Sequence, residues 1–290
     1  MKKYIITTDN TADLPASYLT EHEIATISLS YILDGETYGN GKDLSCKEFY
    51  DKMRSGALPT TSQVNPTIAK EFFSALIAKE DADILHISFS SGLSGTYNSL
   101  RIAAEELTEE DSNHTVIVID SLAASLGEGL LVHSALKNRQ NGMSLQENAD
   151  WLLANRLHVV HNFTVDDLHH LARGGRISKT AATLGTLVSI KPLLHVNEEG
   201  QLEPVDKVRG RKKALKGLVY AMEQQLGSFR NQNEIIWISH ADAPEDAQYV
   251  ADSIKEHLGF TDFIIGEVSP TVGAHSGPGT IALIYLGEKR

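Results

Sequence analysis

The feature that most restricts the fold is a repeated strand, polar loop and helix in the first half of the chain. Three short apolar segments with β propensity are each followed by a polar loop: Tyr4–Thr8, Ile84–Phe89 and Val116–Ile119. A helical pattern follows each loop, most clearly over Tyr97–Leu107, where apolar residues recur on one face. Apolar strands that alternate with helices predict a three-layer α/β domain with a parallel sheet covered on both faces. In such sheets the loops after the strands line the ligand crevice.

The second half has a different pattern, which predicts a mixed or antiparallel sheet in a second α/β domain. Two short strands around the turn Glu198–Gly200 form a hairpin pattern. The other predicted strands are Leu157–Phe163, Ile235–Ser239, Phe263–Val268 and Ile281–Leu286, and the predicted helices are Asp166–Leu171, Arg211–Leu226 and Pro244–Leu258. We therefore expect two domains, over residues 1–155 and 156–290, which suits a length of 290 residues.

Charge and hydropathy argue against several classes of function. The net charge of −12 gives a surface that repels nucleic-acid phosphates, so no nucleic acid is expected as a partner. The chain has no apolar stretch of about 18 residues, so no integral membrane segment is predicted. The apolar run Ile5–Ile6 is too short for a signal peptide, which favours the cytoplasm. Cys46 is the single cysteine, so no intramolecular disulfide can form, and no nucleophile motif surrounds it.

The most informative polar loop is Ser90–Thr96, which follows a predicted strand and opens a helix. Unpaired backbone N–H groups and a partial positive charge make a helix start a site for anions. Ser94 offers a hydroxyl, and Gly95 lets a ligand approach the backbone closely. The alternative is that Ser94 or Thr96 only caps the helix. The loop lacks the Gly-Lys-Ser/Thr ending of a P-loop and the spacing of a nucleophile elbow.

A second polar segment, Thr60–Pro66, contains the hydroxyls of Thr61 and Ser62 and precedes a predicted helix over Thr67–Ala78. Three consecutive hydroxyls and an amide are costly to bury without hydrogen-bond partners. Taken alone, however, this pattern is most typical of a capped helix start.

A third segment, Gly273–Thr280, lies between two predicted strands and is rich in glycine. Glycine at this density predicts a tight loop that presents His275. The alternative is that His275 only supports the fold, as single histidines usually do. The other histidines show no metal-ligand spacing, so neither a metal nor another cofactor is expected.

Two basic islands stand out in this acidic chain. They are Arg173–Lys179, with Arg173 and Arg176, and Lys207–Lys216, with Arg209 and Arg211. The simpler interpretation is that they are solvated ends of helices or loops. The more specific interpretation is a local site for a phosphate or for an acidic partner surface.

Taken together and in this order, these segments resemble the DegV family along essentially the whole chain. The matching segments are Thr8–Pro15, Thr61–Gln63, Ser91–Tyr97, Val165–Leu168, Leu171–Ser178, Lys191–Leu194 and Gly273–Gly279. The chain departs from the family pattern at Asn10, where serine is usual, and at Val64, where proline is usual. Neither departure removes a side chain that is expected to bind a carboxylate, although Val64 can shift the backbone of its loop.

The resemblance implies a long-chain fatty acid bound between the two domains, with its acyl chain in an apolar tunnel mainly in the first domain. By motif, the carboxylate would meet Thr61, Ser62, Ser94, Gly95, His275 and Ser276. Bacterial family members of the FakB type present this carboxylate to a separate kinase subunit, which uses ATP to make an acyl phosphate. The resemblance thus implies a lipid-binding subunit that is not itself an enzyme. The contacts to the kinase or to the phosphate would come from Arg173, Arg176, Arg209 and Arg211.

Two other functions stay open at this point. One is a lipid carrier or sensor that has no kinase partner. The other is a serine hydrolase that uses Ser94 and His275, although the sequence offers no oriented acid for that histidine.

Overall fold

The structure is a computed structural model that describes residues 2–39, 41–110, 113–178, 180 and 189–290. Its strands are β1 Tyr4–Asp9, β2 Ala25–Ile27, β3 Ser30–Leu33, β4 Glu36–Tyr38, β5 Thr60–Ser62, β6 Asp83–Ser88, β7 Val116–Asp120, β8 Val159–Thr164, β9 Ile190–Val196, β10 Leu202–Arg209, β11 Ile236–His240, β12 Phe263–Glu267 and β13 Ile281–Leu286. Its helices are α1 Ala16–Glu21, α2 Cys46–Arg54, α3 Pro66–Glu80, α4 Thr96–Glu110, α5 Leu126–Gln140, α6 Leu145–Asn155, α7 Leu168–Arg173, α8 Arg211–Gln225, α9 Pro244–Leu258 and α10 Pro270–Ser276.

The strand and helix repeats of the first half build a parallel four-stranded sheet in the order β2-β1-β6-β7. Consecutive side chains of its strands point to opposite faces of the sheet and pack in different hydrophobic cores. Ile84 shares a core with Phe73 of α3 and Leu100 of α4, whereas Leu85 shares a core with Leu130 of α5. The sheet is therefore the middle of three layers, as the repeated pattern predicted.

The second half forms a six-stranded sheet in the order β10-β9-β8-β13-β11-β12. Its neighbouring strands are antiparallel except for β11 and β12, so the sheet is mixed, and the predicted hairpin is confirmed as β9 and β10. Ile238 on one face shares a core with Leu218 of α8. Trp237 on the other face shares a core with Leu130 of α5.

Two segments differ from the prediction. In the segment Thr60–Pro66 the capped helix start is confirmed at Asn65, whose side-chain oxygen accepts from the N–H of Ile68 in α3. Thr60–Ser62, however, form the strand β5, which belongs to a small antiparallel sheet in the order β4-β3-β5. The prediction of a loop over Gly273–Thr280 is also wrong in its first part, because Gly273–Ser276 form the end of the helix α10.

Helix α5 lies between the two large sheets and joins them. Ser125, just before α5, has its Oγ 2.5 Å from Asp13 Oδ2 and 2.8 Å from Ser239 Oγ on β11. The N–H of Ser269, just before α10, donates to Asp13 Oδ1 at 3.0 Å. The domain boundary predicted after residue 155 falls between α6 and a 3₁₀ turn, while the core around α5 is shared by both sheets. Within the described ranges, no helix is long and apolar enough to cross a membrane.

Candidate functional site

A cavity of about 420 Å³ lies between the carboxyl edge of the first sheet and the inner face of the second. Its apolar lining consists of Leu29, Phe89, Leu93, Ala124, Phe163, Leu171, Val196, Leu202, Val268, Val272 and Ala282. Phe163 and Ala282 are directly paired on β8 and β13, and Val196 and Leu202 are paired on β9 and β10. One face of the second sheet thus forms the floor. More of the apolar lining of this cavity comes from the second half of the chain than from the first, whereas the resemblance implied a tunnel mainly in the first domain.

Five of the six predicted carboxylate ligands line this same cavity: Thr61, Ser62, Ser94, His275 and Ser276. The sixth, Gly95, lies beside it. A Cβ at Gly95 would stand 2.9 Å from Cδ of Gln63, so a larger residue here would require the end of the Gln63 side chain to move. Gln63 lines the cavity too, although its sequence motif did not mark it as a ligand.

Thr61 and His275 form the central contact of the polar wall. Strand β5 and helix α10 bring Thr61 Oγ1 within 2.8 Å of His275 Nε2. The other ring nitrogen, Nδ1, is buried and has no partner among the described residues. Burial, followed by the charges of Arg176 and Arg173, lowers the pKa of His275 to about 4, so the ring is neutral at pH 7.

The position of the His275 ring depends on Gly174, at the end of α7. A Cβ at Gly174 would collide with Nδ1 of His275 and would stand 3.0 Å from Cε1. At position 174 glycine is therefore favoured because any side chain would collide with the His275 ring. At position 175 a Cβ would have no atom within 4 Å, and glycine is favoured there because φ is 73°, in the left-handed region.

Ser94 has two roles in the structure. Its Oγ accepts from the N–H of Thr96 at 3.2 Å and lies 3.0 Å from Thr96 Oγ1. Ser94 thus accepts from the first N–H of α4, which agrees with the alternative that it stabilises the helix start. Since Ser94 also lines the cavity at the start of that helix, capping does not exclude contact with an anion.

The two arginines near α7 have different environments. Arg176 lines the cavity, half-buried, and donates to the carbonyls of Leu93 and Gly174. Arg173 is exposed, with Nη2 2.8 Å from His170 Nδ1. Only Arg176 of this pair thus faces the cavity.

The arginines of the second island also differ. Arg209 is exposed at the end of β10. Arg211 pairs with Asp246 at 2.7 Å and with Asp166 at 3.5 Å, and it donates to the carbonyl of Gly279. These contacts indicate that Arg211 stabilises the fold, whereas the exposed side chain of Arg209 is free to contact a partner.

The chemistry of a hydrolase is not assembled here. His275 contacts Thr61 rather than Ser94, and no carboxylate of the described residues bonds its Nδ1. Burial and the nearby Glu267 raise the pKa of the Cys46 thiol to about 12, which makes it a poor nucleophile. In the described part of the chain, no group of three or more His, Cys, Asp or Glu could hold a metal ion.

Two buried carboxyl groups beneath the cavity wall were not anticipated from the sequence. Glu128 accepts from the hydroxyls of Thr8 at 2.8 Å and Thr11 at 3.0 Å, and Asp9 accepts from the N–H of Phe89 at 3.0 Å. Burial is the main cause that raises the pKa of both groups. Because Thr11 and Phe89 line the cavity, this pair fixes part of its wall.

Comparison with known proteins places the geometry in a family context. A family profile described as an uncharacterised protein of the DegV family matches residues 3–288. A DegV domain-containing protein of Clostridium perfringens is 42% identical over an alignment of 292 residues, which covers 100% of this chain and 99% of that protein. A fatty acid-binding DegV family protein from Thermus thermophilus superposes with a TM-score of 0.83 at 30% identity, covering 99% of this chain and 100% of that one. A DegV lipid-binding protein from Thermotoga maritima gives a TM-score of 0.84 at 29% identity, covering 99% of both chains.

Proposed function

The chain belongs to the DegV family, and we propose that it binds a long-chain fatty acid in the cavity between its two large sheets. The observation that carries this proposal is one cavity whose apolar lining continues into the polar group of Thr61, Ser94, Arg176 and His275. An acyl chain suits the apolar part because its burial is favourable by about 0.8 kcal/mol per CH₂. The volume of about 420 Å³ lies within the usual range for ligand sites, roughly 300–1,000 Å³.

The polar wall suits a carboxylate. Arg176 is half-buried, and its bonds go to backbone carbonyls, so its charge has no acidic counterpart among the described residues. A carboxylate would supply that counterpart and would accept from the hydroxyls of Thr61 and Ser94. A charged headgroup in this place offsets the cost of keeping the guanidinium partly out of water.

Native mass spectrometry of the purified protein tests the proposal. We expect an added mass that corresponds to one fatty acid, and we expect delipidated protein to take up one equivalent of octadecanoic acid. Protein that retains no lipid and shows no saturable uptake of fatty acids between about 14 and 18 carbons would disprove it.

We further propose that the bound carboxylate is presented to an ATP-dependent kinase subunit, which would place the reaction in the cytoplasm. The support is the family resemblance together with two exposed arginines, Arg173 beside the site and Arg209 on β10. Negative charge accumulates on a phosphoryl group during transfer, and exposed arginines can stabilise it or can pair with acidic groups of the kinase.

Arg173→Ala tests the kinase step. We expect near-normal fatty acid affinity and loss of most acyl phosphate formation when the kinase and labelled ATP are added. Arg176→Ala is the matched control, because its side chain lines the cavity and its loss should weaken lipid binding first. If Arg173→Ala loses lipid yet keeps turnover at excess fatty acid, Arg173 belongs to the pocket. If the wild type forms no acyl phosphate, the protein is a carrier or sensor.

A further inference from the structure

The turn between β9 and β10, over residues 197–201, lies against the loop of the first half of the chain that carries Ser94. Val196 and Leu202, which are paired on either side of the turn, both line the cavity. Ser94 lines it as well. The contact between the turn and this loop therefore joins the two halves of the chain at the wall of the cavity.

Ser90 makes the side-chain bond of this contact. Its hydroxyl donates to the carbonyl of Gly200 at 2.7 Å and accepts from the N–H of Gly92 at 3.1 Å. Ser90 has no exposed surface, and Gly200 is buried as well. The bond between them therefore exists only while the turn and the loop are together.

The backbones of the turn and the loop are also in direct contact. A Cβ at Gly92 would stand 2.6 Å from the carbonyl oxygen of Glu199 and 2.8 Å from that of Gly200. These neighbours are backbone atoms, so a side chain at position 92 would have to push the turn away. Gly92 does not have a positive φ, so alanine at this position would act as a wedge without backbone strain.

Arg290 binds the same turn. Its guanidinium donates to the carbonyl of Asn197 in the turn at 3.1 Å and to the carbonyl of Leu122, which follows β7 of the first sheet. It also donates to the carbonyl of Arg156 at 2.7 Å and to that of Val159 at 3.1 Å, where β8 begins. One side chain therefore ties the turn to the first sheet and to β8.

Opening the molecule at this contact costs less than opening it at α5. The core around α5 is shared by both sheets, so its separation would expose buried apolar side chains such as Leu130 and Trp237. At the turn, the two halves are joined by hydrogen bonds and backbone contacts, and Glu198 and Glu199 are already exposed. Opening there mainly exchanges bonds within the protein for bonds to water.

We propose that Ser90, Arg290 and the turn 197–201 form a clasp that opens when a fatty acid enters or leaves the cavity. Ser90 and Arg290 are positioning residues, because neither belongs to the described lining. This inference rests on the proposed function. The bonds of the clasp do not involve the ligand, so they stabilise the closed cavity equally with and without lipid. A weaker clasp should therefore speed entry and release alike and should leave the Kd unchanged.

Stopped-flow fluorescence tests this expectation, with koff measured as release of a fluorescent fatty acid into phospholipid vesicles and kon measured on delipidated protein. Ser90→Ala removes the bond to Gly200, and Gly92→Ala places a methyl group between the loop and the turn. We expect each variant to raise koff and kon about tenfold, with little change in Kd. Ser91→Ala is the matched control, because Ser91 is exposed and its hydroxyl takes no part in these bonds.

Wild-type rates in the folded Ser90→Ala and Gly92→Ala variants would overturn the clasp, and so would a raised Kd at unchanged kon, which indicates damage to the cavity wall. Should Gly92→Ala melt below the assay temperature, Arg290→Ala replaces it, since it removes the tie to Asn197. A wild type that takes up no fatty acid contradicts the proposed function. A wild type that binds lipid, with variants that keep its rates, contradicts the clasp alone.

A reversible cross-link tests the clasp in the opposite direction. Ser91→Cys and Glu199→Cys, in a Cys46→Ser background, place two thiols on exposed residues beside the contact. A short reducible bifunctional thiol reagent should trap preloaded fatty acid, and reduction should restore its release. Release at the wild-type rate from the cross-linked protein would overturn the proposal.

Discussion

Gly174→Ala should damage fatty acid binding although it replaces no ligand-binding side chain. The added methyl group would collide with Nδ1 of His275 and force the ring away from Thr61, to which it is bonded at 2.8 Å. Gly174 is followed by Gly175, which has φ of 73° and nothing within 4 Å of the place that a methyl group would take. Alanine at position 174 would therefore collide with His275, whereas alanine at position 175 would not, so Gly175→Ala is the matched control.

The magnitude follows from the contact that is lost. A displaced His275 can no longer bond Thr61 or lie beside the carboxylate, and a hydrogen bond to a charged group contributes about 1.5–3 kcal/mol. We therefore expect Gly174→Ala to raise the Kd for fatty acid about ten- to hundredfold. Gly175→Ala should leave the Kd unchanged but lower stability by roughly 1–2 kcal/mol, because alanine disfavours the left-handed backbone.

Displacement of a fluorescent fatty acid analogue measures the Kd of each variant, and thermal unfolding shows that each one is folded at the assay temperature. Wild-type affinity in a folded Gly174→Ala variant would refute the argument, since it would show that the place of the His275 ring does not matter for binding. Equal loss of affinity in both variants would also refute it, because backbone strain after α7 would then be the cause.

Two further predictions concern a hydroxyl and a buried acid. Thr61→Val keeps the shape of the side chain and should weaken fatty acid binding by about 1–3 kcal/mol in the same displacement assay, where an unchanged Kd would remove Thr61 from the ligand set. Burial raises the pKa of Asp13 from 3.8 to about 7, so the stability that its protonated form contributes is full below about pH 4 and is lost as the pH rises through 7. Asparagine at position 13 cannot ionise. The unfolding free energy of Asp13→Asn, measured with urea, should therefore rise relative to that of the wild type as the pH increases from about 4 to about 8. A difference that does not change with pH would count against a buried, shifted carboxyl.

The sequence predicted the two large sheets because their strands are marked by strong local patterns. Ile84 and Leu85 belong to a fully buried strand, and such strands stand out as continuous apolar segments. The small sheet β4-β3-β5 could not be predicted in this way, because its strands are only three or four residues long. Its central strand leaves Ile32 36% exposed, so no clear apolar pattern distinguishes it from a loop.

The candidate site was predicted as a set of residues but not as an arrangement. Motifs supplied Thr61 and His275, yet only the small sheet and the helix α10 bring them together across 214 positions of the sequence. Likewise, Arg173 and Arg176 belong to one basic island, but the chain leaves α7 between them and turns through two glycines. One side chain therefore points to solvent and the other into the cavity, which local sequence does not reveal.

The combination of a charged arginine with a neutral histidine determines which form of the ligand the proposed site would hold. At pH 7 His275 is neutral, since burial and two arginines lower its pKa to about 4, and Arg176 is the cation in the described lining of the cavity. A fatty acid carboxylate would therefore meet one positive charge and several hydroxyls, which favours its ionised form. An ionised carboxylate has an oxygen free to attack a phosphoryl group. Under the proposed function, the same wall that binds the lipid would keep it in the form that a partner kinase requires.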